Sequence, residues 1–91
     1  MRPWIGWEVT VPVTYFVALP FVETEEGVAP GQAHECHSQG LALQQAEALS
    51  RTAPNVGAIA FRRTGDPDMG QFEDARIIRT FGTVPERLDE L

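Results

Sequence analysis

The sequence predicts an α+β fold of order β-β-α-β-β, a two-layer sandwich in which one helix lies across a mainly antiparallel four-stranded sheet, with a short helical turn at the C-terminus. Three observations lead there. An N-terminal stretch alternates apolar and polar residues, a central stretch of helix formers carries alanines at helical spacing, and two further apolar runs are joined by a glycine- and proline-bearing turn. Its 91 residues suit a single small domain.

From Trp7 to Val22 the odd positions are Trp7, Val9, Val11, Val13, Tyr15, Val17, Leu19 and Phe21, whereas the even positions begin Glu8, Thr10, Pro12 and Thr14. A period of two makes this a long strand with one apolar face. Pro12 and Pro20 cannot donate to a ladder, which predicts an edge or a bulge, and an edge invites a partner. Residues 23–30 (ETEEGVAP) read as a solvated turn, and residues 31–37 (GQAHECH) as a short returning strand. Ser38 is a candidate N-cap for a helix over 39–52. Ala42, Ala46, Leu49 and Ala53 form one stripe of that helix, so it can lie close to a sheet, and Pro54 ends it.

Residues 56–63 (VGAIAFRR) and 72–81 (FEDARIIRTF) read as a second hairpin around the turn at 64–71, where Gly65, Pro67 and Gly70 stand. Pairing Ile59 with Ile77 and Phe61 with Ala75 also sets Arg62 against Asp74 and Arg63 against Glu73. Hydrophobic and charge patterns thus select the same expected register. In the tail, Pro85 stands where a helical turn would begin, with Leu88 and Leu91 available to dock it.

Seven basic residues, all arginine, face 13 acidic ones, for a formal charge of -6. That balance disfavours nucleic acid and anionic membranes as general partners. Val11 to Val22 is too short for a bilayer and holds two prolines, so neither a membrane span nor a signal segment is expected. The single cysteine forms no internal bridge, which fits a reducing, cytoplasmic setting.

Residues 57–85 (GAIAFRRTGDPDMGQFEDARIIRTFGTVP) resemble a family of small uncharacterised bacterial proteins. In that family an alanine-rich strand runs through Thr-Gly-Asp-Pro into an acidic strand ending in Phe-Gly, and the helix over 39–52 fits the same arrangement. The resemblance implies a compact bacterial protein and carries no activity, cofactor or catalytic residue with it.

The densest cluster of ligand types is His34, Glu35, Cys36 and His37. On a strand, His34 and Cys36 share one face while Glu35 and His37 share the other, so four ligands cannot meet one ion. A dimer would supply a second His34 and Cys36 across a two-fold axis and complete a two-His, two-Cys zinc site. The structural alternative makes His34 a polar strand residue, Cys36 a small buried hydrophobe and His37 the residue before a helix cap. Cys36 as a nucleophile with His34 or His37 as its base lacks an orienting acid and an oxyanion loop. Asp66 and Asp68 lack the further ligands of a calcium loop and read as a turn. No cofactor is expected.

Residues 51–79 hold five arginines against four acids, a balance of +1, while the rest of the chain carries -7. With Arg62 and Arg63 assigned to acidic partners, Arg76 and Arg79 remain as a small basic surface for a protein or, more weakly, RNA. Trp4 and Trp7 are the other interaction candidates, with covering this chain's own core as their alternative role. The expected function is therefore a non-enzymatic binding module that self-associates through the first strand's edge or the Trp4 and Trp7 region. A metal- or thiol-dependent protein using His34, Cys36 and His37, or an RNA-binding accessory, stands as the alternative.

Overall fold

A computed structural model describes residues 12–88. The chain is α+β, with one helix and a curled, wholly antiparallel sheet forming a half-barrel. Two twelve-residue strands, β1 (Val13–Thr24) and β4 (Asn55–Asp66), pair along almost their whole length at its centre. Their alternation and their content of Val, Ile, Phe and Tyr suit strands buried in a sheet.

Each central strand meets a return strand that is broken in two. β1 pairs with β2 (Gly27–Pro30) at one end and with β3 (His34–Cys36) nearer its middle. Pro20 of β1 and Pro30 of β2 both lack an N–H, so the ladder cannot continue between them. Only the Gly31 N–H reaches across, to the Pro20 carbonyl at 2.8 Å. β4 pairs in turn with β5 (Gln71–Phe72) and β6 (Arg76–Gly82), and residues 73–75 leave the ladder.

Of the two alternatives expected for the proline-bearing first strand, the edge is corrected, since β1 has strands on both sides, and the bulge is found beside Pro20, where the β1–β4 register shifts between Phe21 and Val22. The first turn is also tighter than expected, closing at residues 25–26 so that Glu23, Thr24 and 27–30 lie in strands. The stretch 7–11 of the expected first strand lies outside the described residues.

Helix α1 (Gln39–Ser50) starts where Ser38 caps it, the hydroxyl accepting the Leu41 N–H at 3.2 Å. It ends at Arg51, short of Thr52, and exposed Ala53 lies beyond it. Ala42 and Ala46 pack with Ala18, Ala58 and Ala60 in a layer of buried methyl groups between helix and sheet, ringed by Phe16, Leu43, Leu49, Ile78 and Phe81. The larger core residues lie on the opposite side of the sheet. Leu19, Phe21, Ile59 and Phe61 cluster there, with Val17, Val28, Ala75, Val84 and Leu88 packed against them. Leu88 docks without the expected helical turn, since residues 83–88 contain no helix, and Leu91 lies outside the described residues.

The register of the second ribbon departs from expectation. Ile59 pairs with Thr80, Phe61 with Ile77 and Arg62 with Arg76, and a bulge interrupts the ladder between Ala60 and Phe61. In the ladder Arg62 therefore stands opposite Arg76 and not Asp74. The physical reason lies at the far end of the ribbon, where Gly57 pairs with Gly82. A methyl group on Gly57 would run into the Thr83 backbone, and Gly82 has a φ of +68° with the Val56 carbonyl against it. Only glycine fits both positions, and their contact anchors β6.

Candidate functional site

The bulge decides which side chains share a surface. In an uninterrupted strand, Arg76 and Arg79 would point to opposite faces. Here Ile78 is the extra residue, so Arg79 sits opposite Ala60 and Arg76 opposite Arg62. Ala60 belongs to the helix-side layer and Arg62 follows it by two, which places Arg62, Arg76 and Arg79 together on the helix side. Sequence reasoning selected Arg76 and Arg79 and missed Arg62. The available signal was the pair of glycines that meet at one end of the ribbon, Gly57 and Gly82.

All three guanidinium groups are exposed, and none forms an ion pair among the described residues. Arg79 lies over the Phe81 ring, its Cζ 5.0 Å from the centroid, a cation–π contact. Thr14, Arg62, Thr64, Glu73, Asp74 and Arg76 line a recess of about 470 Å³. The Thr14 and Thr64 hydroxyls hydrogen-bond across its floor at 2.9 Å. A neighbouring recess of about 500 Å³ is lined by Arg62, Arg76, Ile77 and Ile78, with Gln39 from the first turn of α1.

Beside this surface runs the outer edge of β6, which pairs with no other strand among the described residues. Ile77, on the side away from the helix, is 37% exposed. The combination offers unpaired backbone donors and acceptors, planar cations able to take carboxylates in bidentate fashion, and a small apolar contact on the reverse face.

The histidine and cysteine cluster is arranged as the strand reading expects, with His34 opposite Ala18 and Cys36 opposite Phe16, both on the helix side. Cys36 packs against the alanine layer, and its thiol lies 3.6 Å from the His34 carbonyl oxygen, which it faces as donor. Burial raises the thiol pKa above its ordinary value; a backbone hydrogen bond at Ala18 pulls the other way and the Glu35 charge adds to the rise. A raised pKa reduces the thiolate fraction, the opposite of what a nucleophile needs. His37 lies outside β3 and is exposed. Among the described residues, no three His, Cys, Asp or Glu side chains group closely enough to hold a metal ion. Trp4 and Trp7 lie outside the described residues.

On the reverse face, Tyr15, Val17, Ala33, Glu35, Phe61 and Arg63 line a shallow groove of about 300 Å³. No helix among the described residues is long and apolar enough to cross a membrane. No family model, curated protein or solved structure matches the chain.

Proposed function

We propose that this chain is a small non-enzymatic interaction module whose working surface is the outer edge of β6 with the arginines beside it. One observation carries the reading: among the described residues, Arg62 and Arg76 stand directly opposite each other, exposed and without an ion-pair partner, next to a strand edge that no other strand covers. Like charges directly opposite across a ladder cost stability, and such local conflicts concentrate at working surfaces. The single unbridged Cys36 supports a reducing, cytoplasmic setting.

Nucleic acid fits this surface poorly. Glu73 and Asp74 share the recess with Arg62 and Arg76, and the whole chain carries -6, so a phosphate backbone meets repulsion with the attraction. The metal- or thiol-dependent alternative loses support from the raised pKa of Cys36.

Self-association is the second reading, and the thinness of the alanine-built layer favours it, because a small core gains from a partner copy. Its place moves from β1, which is flanked on both sides, to β6. Amide hydrogen exchange tests both readings. In the dilute monomer the outward N–H groups of Arg76 to Gly82 are expected to exchange without protection, and protection there would mean the edge is already covered. Protection that grows with protein concentration, in step with dimer mass by light scattering, supports self-association; a monomer at high micromolar concentration rules it out.

A further inference from the structure

We infer that the partner segment taken up by β6 is an extended acidic stretch of another protein, with carboxylates at every second residue and apolar residues between them. This rests on the reading of β6 as the working surface and adds the chemistry of what it binds.

Arg76 and Arg79 are three residues apart, which in a regular strand spans about 10 Å. The bulge sets them opposite Arg62 and Ala60, two residues apart on β4, so the cationic groups follow the two-residue repeat of about 7 Å along the sheet. An added strand has that same repeat on each face. Carboxylates at its positions i and i+2 therefore meet Arg76 and Arg79 together, with Arg62 one strand further in. The residue between them turns to the reverse face, where half-exposed Ile77 stands. Main-chain hydrogen bonds to β6 supply attachment, and the alternation supplies selection.

Charge chooses among the other occupants. Arginines and a bulge on an edge discourage indiscriminate strand pairing, and a second β6 would bring arginines towards arginines. This chain's own run of alternating acids, Glu23 and Glu25, sits at the β1–β2 turn, and Glu23 is already paired with Val28. A separate acidic strand has neither obstacle. Because only two of its carboxylates need to reach Arg76 and Arg79, it meets less of the repulsion from Glu73, Asp74 and the net charge of -6 than a phosphate backbone charged at every residue does.

The experiment uses the full chain, isotope-labelled, titrated with a capped peptide alternating glutamate with valine. The controls are its lysine-for-glutamate counterpart, a peptide with glutamates three apart, and oligouridylate. The alternating acidic peptide is expected to protect the outward amides of β6, and its affinity is expected to fall about tenfold when Arg76→Gln and Arg79→Gln are combined. Arg76→Lys with Arg79→Lys should retain part of that affinity, and circular dichroism checks that every variant folds. If the lysine peptide or the three-spaced peptide protects β6 equally well, the edge remains the working surface and the acidic alternation is wrong. Acidic-peptide binding that leaves β6 unprotected, or no binding at all, overturns the inference. Displacement of the peptide by oligouridylate, or by the chain's own dimerisation through β6, assigns the surface to RNA or to a second copy and overturns it too.

Discussion

The two ribbons share a plan and differ in what they leave uncovered. Each runs out along a twelve-residue strand and returns in two pieces, β2 and β3 in the first, β5 and β6 in the second. In the first ribbon the break falls where Pro20 and Pro30 remove donors, and β3 leads directly into the helix. In the second, the ladder is interrupted by residues 73–75 and then by Ile78; the return pieces of both ribbons lie at the margins of the sheet, and β6 is the longest of them. Both ribbons carry acids at their tips, Glu23, Glu25 and Glu26 in the first and Asp66, Asp68, Glu73 and Asp74 in the second, but only the second adds a group of arginines, Arg62, Arg76 and Arg79, beside its edge. Both ribbons thus leave a return strand at a margin of the sheet, and what sets the second apart is the group of exposed arginines beside β6.

The largest test of that division compares two phenylalanines. Phe21 of the first ribbon is 1% exposed, so Phe21→Ala is expected to cost about 3–5 kcal/mol by chemical denaturation. Phe72 of the second ribbon is 46% exposed and meets Tyr15 at 6.0 Å between centroids, and Phe72→Ala should cost less than about 1.5 kcal/mol. Equal losses would contradict the contrast.

Ala18 of β1 and Ala60 of β4 then ask whether the helix rests evenly on both ribbons. Ala18→Leu and Ala60→Leu each force extra volume into the same methyl layer, at an expected cost of about 1–3 kcal/mol. Clearly unequal values would show that the helix bears on one ribbon alone.

A smaller effect of opposite sign is expected at the paired arginines. Arg76→Thr removes a like charge opposite Arg62 and should stabilise the fold by about 0.2–1 kcal/mol, a gain that shrinks as salt is added. A loss of stability would mean that Arg76 has a structural role that its exposure does not reveal.

The smallest effect concerns Cys36 in the first ribbon. Its pKa is raised in the folded chain, so its contribution is fully present below the unfolded thiol pKa and is lost as pH rises through the folded value. Relative to Cys36→Val, the parent chain should therefore lose stability in that alkaline range, and at neutral pH its thiol should be alkylated more slowly than in unfolded chain. Faster alkylation in the folded state would restore the thiol-dependent alternative.

Much of the first half and the type of every long element were legible in the residues. The alternation around Val13 to Phe21, the cap at Ser38 and the stripe of Ala42 and Ala46 each depend on local spacing, and spacing is what a sequence displays. Edge status was not legible, because whether β1 is central depends on where β4 lies, a contact between distant segments. The second register failed for a related reason. Matching Ile59 to Ile77 and Arg62 to Asp74 satisfied two patterns at once, yet both assumed a ladder without interruptions. The steric demand at Gly57 and Gly82 overrode them, and with it went the pairing that had removed Arg62 from consideration.

The methyl layer under the helix works as a spacer of fixed thickness. Ala42 and Ala46 hold the helix down, and its first residue, Gln39, forms one wall of the recess that Arg62 and Arg76 line. A bulkier side chain in that layer is expected to push the helix away from the sheet, and with it Gln39 from the two arginines. The width of the arginine-bearing hollow is thus set by a few carbon atoms that never touch whatever enters it.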